Sequence, residues 1–205
     1  MKIQLLKAFN TSLTPKLESF FLQSNPITEI AGTQFDNNPN LKSIGFYNND
    51  FAVAPVITSF CKSLGNINLN LNSISEIPDD YFNGCSVQSI GISFNKLTSV
   101  PNFAPLGNSV QQITLTGNRI SGRITTDMVK NLPNLTELVI MRNQLQGFHA
   151  SFCHKKRPLE IDVKRNHALT FFENPYWSCT DLLDTFTTKP KMAMTSTKIP
   201  CDHHR

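Results

Sequence analysis

Apolar side chains recur along the chain in a fixed eleven-place phrase whose ninth place is asparagine. The first set is Leu17, Phe20, Leu22, Asn25 and Ile27, and the second Leu41, Ile44, Phe46, Asn49 and Phe51. Leu64, Ile67, Leu69, Asn72 and Ile74 follow, then Val87, Ile90, Ile92, Asn95 and Leu97. Val110, Ile113, Leu115, Asn118 and Ile120 precede Leu135, Leu138, Ile140, Asn143 and Leu145. The last set is worn: Pro158, Ile161, Val163, Asn166 and Ala168. Successive asparagines are 24, 23, 23, 23, 25 and 23 residues apart. Places four and six are apolar, the period of a short strand with alternate side chains facing inward. One such unit cannot bury its own apolar face, so a fixed period of this length predicts stacked units sharing one core.

The phrase L-x-x-L-x-L-x-x-N-x-L resembles the leucine-rich repeat. The resemblance implies an α/β solenoid, the leucine-rich repeat horseshoe, with a parallel concave sheet of about seven short strands. It also implies that Asn25, Asn49, Asn72, Asn95, Asn118, Asn143 and Asn166 form a ladder. A buried amide needs partners, and Asn offers one acceptor and two donors where the turn leaves backbone groups open. A second apolar series, Phe9, Phe35, Phe60, Phe82, Phe103, Met128 and Phe152, recurs about once per repeat and predicts a spine on the convex side. The return segments are short and carry Pro, as at Pro78 and Pro101, so they should be mostly loops, turns and short helical turns. Asp127 to Leu132 is the best helix candidate. Residues 1–169 are expected to be repeats and 170–205 a C-terminal cap.

No apolar run is long enough for a membrane span, and the N-terminus lacks the apolar stretch of a secretory signal. Counting back 24 residues from Asn25 reaches Met1, with Ile3 in the slot after the asparagine. The chain is therefore expected to begin mid-repeat, as a fragment of a longer protein or a degenerate gene copy. Net charge is +4. Residues 1–141 carry nine basic and nine acidic side chains, and residues 142–205 carry ten and six, so the excess is C-terminal. His154, Lys155, Lys156 and Arg157 cluster there; with no basic stripe over the other repeats, nucleic acid is not an expected partner.

Of five cysteines, Cys61 and Cys85 stand one period apart just before adjacent strands, where rungs about 5 Å apart suit a disulfide. The run Asn174-Pro175-Tyr176-Trp177-Ser178-Cys179 resembles the opening of the cysteine-bearing cap of extracellular leucine-rich repeats. That resemblance pairs Cys179 with Cys201 and favours an oxidising compartment. The family cap usually has four cysteines, so this one is reduced, and Cys153 is left as a third member or a free thiol. Asn10 and Asn134 head glycosylation sequons.

No nucleophile has a base at convincing spacing, and no glycine loop suits a phosphate. His203 and His204 beside Cys201 and Asp202 lie on a short tail that reads as adventitious, so no metal and no cofactor is expected. Places two, three, five, seven and eight of each phrase should point outward on the concave sheet and form the binding face. Tyr47, Asn70, Phe94, Thr116, Met141, Arg142, Lys164 and Arg165 are the candidate contacts, with Tyr47, Phe94, Met141 and Arg142 favoured as aromatic or cationic anchors. The expected function is non-catalytic recognition of a protein, or of a glycan, by an extracellular leucine-rich repeat protein. It would be a receptor ectodomain fragment or a secreted adhesion or immune protein. A cytosolic interaction scaffold with reduced cysteines is the alternative.

Overall fold

The computed structural model describes residues 14–149 and 159–169, and the backbone of 197–199. The strands are β1 (Ser19–Phe21), β2 (Ser43–Gly45), β3 (Asn66–Asn68), β4 (Ser89–Gly91) and β5 (Gln112–Thr114), then β6 (Ser121–Ile124), β7 (Glu137–Val139), β8 (Gln144–Phe148), β9 (Leu159–Asp162) and β10 (Thr197–Ile199). The main sheet runs β1-β2-β3-β4-β5-β7-β9-β10, and β6 and β8 form a separate pair. Seven strands of the main sheet are parallel and stack as a solenoid; β10 joins β9 antiparallel at the far edge.

Register follows the phrase. Phe20, Ile44, Ile67, Ile90, Ile113, Leu138 and Ile161 pair in one row across the sheet. All seven are buried, while strand residues on either side face outward. Each buried aliphatic contributes roughly 1.5–3 kcal/mol relative to exposure. The row at place six is as dry: Phe46, Leu69, Ile92, Leu115, Ile140 and Val163 are all within 3% of full burial.

On the return side Phe35, Phe60, Phe82 and Phe103 are buried, as the Phe series predicts. Phe35 stands 5.0 Å from the rings of both Phe20 and Phe60, and Phe82 stands 5.3 Å from Phe103. Met128 does not take the same slot. The bond Leu132 N–H to Val129 O repeats Leu106 N–H to Phe103 O, so Val129 is the equivalent of Phe103. Val129 is 1% exposed and Met128 only half-buried. Nor is Asp127–Leu132 a helix. A 3-10 turn spans Thr126–Met128, and bonds from Val129 N–H to Thr126 O and from Leu132 N–H to Val129 O keep the path tight.

The pair β6–β8 is a feature the eleven-place phrase does not announce. It forms just beyond Asn118 and Asn143, where the chain leaves the turn still extended, with a register shift between Gly122 and Arg123.

Cys61 and Cys85 are joined, with Cα atoms 4.8 Å apart, and both are buried. In the preceding repeat Asn38 holds the Cys61 position: Leu41 N–H donates to Asn38 O as Leu64 N–H does to Cys61 O. Asn38 is fully buried, and its Nδ2 donates to Thr14 O at 2.8 Å. The same column thus links neighbouring repeats first by an amide and then by a disulfide.

Phe9, Asn10, Phe152, Cys153, the basic cluster His154–Arg157, Pro158, Cys179, Cys201, His203, His204 and the whole of 170–196 lie outside the described residues. So do Met1 and Ile3.

Candidate ligand-binding face

The asparagine ladder determines what the concave face looks like. Asn118 Nδ2 donates to Ile92 O of the preceding repeat at 2.9 Å and to its own Leu115 O at 3.0 Å. Its Oδ1 accepts Leu97 N–H at 3.0 Å. Asn72, Asn95, Asn143 and Asn166 repeat both bonds to the preceding repeat. Asn49 makes the donor half, to Leu22 O at 2.8 Å, while its Oδ1 has no partner among the described residues. Asn25 is exposed and donates only locally, to Gln23 O.

The carbonyl that each ladder amide from Asn49 onward captures from the preceding repeat belongs to place six: Leu22, Phe46, Leu69, Ile92, Leu115 and Ile140. The N–H groups of places six and eight point to the following repeat: Leu69 N–H bonds Gly91 O, and Leu71 N–H bonds Ser93 O. That leaves the place-seven N–H to find an acceptor on the concave surface. Side chains supply it. Asn70 N–H donates to Asn68 Oδ1 at 3.0 Å, and Ser93 N–H to Asn70 Oδ1 at 2.6 Å. Thr116 N–H donates to Ser93 Oγ at 3.1 Å, and Lys164 N–H to Asp162 Oδ1 at 3.1 Å. Small polar residues on this face therefore hold backbone, and one of them, Ser93, is itself buried.

Place eight makes the corner into the ladder. Ser24, Asn48, Leu71, Phe94, Gly117, Arg142 and Arg165 all have φ between 52° and 70°, the left-handed region. Gly and Asn adopt it readily, whereas for Leu and Phe it costs roughly 1–2 kcal/mol. Phe94 is 43% exposed all the same, and Leu71 is half-buried.

Outward side chains lean onto the next repeat. A β-carbon on Gly45 would lie 2.5 Å from Phe21 Cδ1, and one on Gly117 would lie 2.6 Å from Phe94 Cδ1. A β-carbon on Gly91 would meet the Asn70 amide at 2.9 Å. Each planar group rests on bare backbone.

Of the sequence candidates, Tyr47, Asn70, Thr116 and Met141 are half-buried on this face, and Arg142 and Arg165 are exposed at the corner. Lys164 is tied to Asp162 of its own repeat, Nζ to Oδ2 at 3.2 Å. The candidates therefore divide between a middle stretch and a charged C-terminal end with Glu137, Glu160 and Asp162. Asn68, Leu71, Gly91 and Ser93 also belong to the middle stretch, although sequence alone did not single them out. Asn134, on the return path, donates its Nδ2 to Asn108 O at 2.6 Å. Among the described residues no helix is long and apolar enough to cross a membrane, and no group of three or more His, Cys, Asp or Glu could hold a metal ion.

No protein-family model matches the sequence, and no curated protein matches it. Solved structures do match. A leucine-rich repeat protein from Bacteroides eggerthii superposes with a TM-score of 0.57 at 23% identity, over 73% of this chain and 28% of that one. The functional domain of InlJ from Listeria monocytogenes, described as including a cysteine ladder, gives 0.58 at 17% identity, over 80% and 34%. Pollen Receptor Kinase 3 gives 0.58 at 23% identity, over 75% of this chain and 76% of that structure. The chain thus spans about a third of the length of the first two, 28% and 34%. At these identities the likeness is one of fold, and it agrees with the stacked parallel strands and the asparagine phrase. The fold of this chain is that of the leucine-rich repeat proteins.

Proposed function

We propose that the chain is a non-catalytic recognition module of an extracellular leucine-rich repeat protein that takes its protein or glycan ligand on the concave sheet. The observation that carries the reading is the concave surface itself. It is continuous across seven parallel strands and presents Tyr47, Phe94, Met141 and Arg142, side-chain types that make strong anchors. Extended concave surfaces are what solenoids offer to partners.

The extracellular part rests on Cys61–Cys85, because disulfides persist in oxidising compartments. The match to a receptor kinase over 76% of its structure adds weight. A receptor ectodomain and a secreted adhesion or immune protein both fit. The reduced cap at 170–205, with Cys179 paired to Cys201, belongs to the same reading.

The test is a screen against arrayed secreted ectodomains and glycans, repeated with two triple variants. Tyr47→Ala, Phe94→Ala and Arg142→Ala together should abolish the hits. Lys62→Ala, Glu76→Ala and Asn83→Ala, exposed and away from this face, should leave them unchanged. The reverse pattern would overturn concave recognition.

A further inference from the structure

The middle of the concave face carries no charge. Places three, five, seven and eight of the second to fifth phrases are Ser43, Gly45, Tyr47 and Asn48; Asn66, Asn68, Asn70 and Leu71; Ser89, Gly91, Ser93 and Phe94; and Gln112, Thr114, Thr116 and Gly117. Not one of these sixteen is Asp, Glu, Lys, Arg or His. Charges stop at the borders: Lys42 pairs with Glu18 at 3.2 Å on one side, and Asp50, Lys96 and Arg119 lie beyond the asparagine column. A charged ligand lying on this field would lose hydration and meet no countercharge. A neutral ligand would not incur that loss.

The field is nonetheless rich in hydrogen-bond donors, and several are fixed in direction. Backbone N–H groups pin Asn68 Oδ1 and Asn70 Oδ1. That settles which end of each amide is oxygen. Ser93 Oγ accepts Thr116 N–H from a buried position, so it serves the backbone and not a ligand. Among the described residues, Asn68 Nδ2, Asn70 Nδ2 and the hydroxyls of Thr114 and Thr116 donate no bond to the protein. Donors held by backbone lose little freedom when a ligand arrives.

Beside the donors stands apolar surface that folding alone would not choose. Leu71 and Phe94 occupy adjacent rungs in a left-handed conformation that Gly117 and Asn48 take more cheaply. Phe94 lies flat over Gly117, with its outer face open. A partner for this surface needs an apolar face for Phe94 and Leu71 and oxygen acceptors for the donors. It needs no net charge, and it should extend across rungs spaced about 4.8 Å.

We propose that this field binds a neutral, linear carbohydrate chain laid across strands β2 to β5. The C–H face of a sugar ring stacks on the Phe94 ring, whose π face is electron-rich. Its hydroxyl oxygens accept from Asn68, Asn70 and the hydroxyls of Thr114 and Thr116. The inference deepens the concave-recognition reading above and rests on it.

The test titrates the intact chain with cellohexaose, chitohexaose and mannohexaose, and with a sulfated hexasaccharide as the charged comparison, each at low and high salt. Amide hydrogen exchange maps the footprint. At least one neutral hexasaccharide should bind with an affinity indifferent to salt and protect β2 to β5. Phe94→Ala and Leu71→Asn, the latter suited to the left-handed corner, should each weaken it about tenfold without lowering Tm. Lys62→Ala, exposed and away from this face, should leave it unchanged. Binding of the sulfated sugar alone, fading with salt, overturns the proposal, as does the absence of binding by every neutral sugar. If an ectodomain from the array binds instead and protects the concave strands, the ligand class is wrong and concave recognition stands. Protection confined to the convex loops overturns both.

Discussion

The ring of Phe94 occupies the space that a side chain on Gly117 would need, with Cδ1 2.6 Å from where that β-carbon would stand. The two residues hold the same place in successive repeats, and both are left-handed. A substitution at Gly117 therefore meets two separate costs, and Gly84 separates them. Gly84 has nearly the same φ, 72° against 70°, but nothing within 4 Å of its would-be β-carbon. Gly84→Ala should cost about 1 kcal/mol from backbone strain alone. Gly117→Ala should cost about 1–2 kcal/mol more, the excess vanishing when Phe94 is also Ala. Thermal unfolding of the four variants checks this; equal losses at Gly84 and Gly117 would show that Phe94 does not rest there.

The ladder makes a graded prediction. Asn118→Ala leaves two carbonyls and one N–H of the buried turn without their partner, and should cost about 3 kcal/mol. Asn25→Ala removes one exposed local bond and should cost less than about 1 kcal/mol. Chemical denaturation measures both. Similar losses would mean that the amides are not what joins the repeats.

Much of this was legible in the spacing. Seven evenly spaced asparagines with flanking aliphatics specify the strands, the buried rows and the ladder, because stacking leaves each place one environment. Other features leave no mark that a single sequence can show. Place eight is left-handed throughout, yet Leu71 and Phe94 there look like ordinary apolar residues, since the requirement is set by the ladder turn. Val129 replaces Met128 in the spine because the adjacent asparagine interval is 25 residues long, which hides the register. Asn38 stands in the Cys61 column without resembling a cysteine. On the concave face, the sequence shows which residues point outward. It does not show that Asn68, Asn70 and Ser93 accept backbone N–H groups.

Tyr81 gives a pH dependence. Its hydroxyl donates to Pro55 O at 2.8 Å, and burial pushes its ionisation far above the ordinary range. A phenol whose folded pKa lies above its unfolded value adds stability that is fully present below the unfolded pKa, about 10, and is lost as pH rises past it. Stability should therefore fall steeply above about pH 10. Tyr81→Phe should cost about 1 kcal/mol at neutral pH and flatten that alkaline fall. Tm measured from neutral to alkaline pH decides it; an unchanged alkaline slope in the variant would place the titrating group elsewhere.

Asp127 is lowered by its hydrogen bond and charge interaction with Lys130, Oδ1 to Nζ at 2.7 Å. A lowered carboxyl adds stability above its unfolded pKa and loses it as pH falls through the folded one. The pair is solvent-exposed, so Asp127→Asn should change Tm very little, and added salt should erase even that. A loss that persists in high salt would mean that the turn depends on this carboxylate.

The account depends most on the staple between the third and fourth repeats. Cys61 and Cys85 close a loop with a sequence separation of 24, worth roughly 3–4 kcal/mol on the chain-entropy model. The direct measurement traps thiols in acid on protein taken from its native source, alkylates under denaturing conditions, and maps the peptides by mass. The account predicts Cys61 and Cys85 unalkylated and recovered as one linked peptide. All five cysteines alkylated would contradict it, and would leave a cytosolic scaffold in place of an extracellular recognition module.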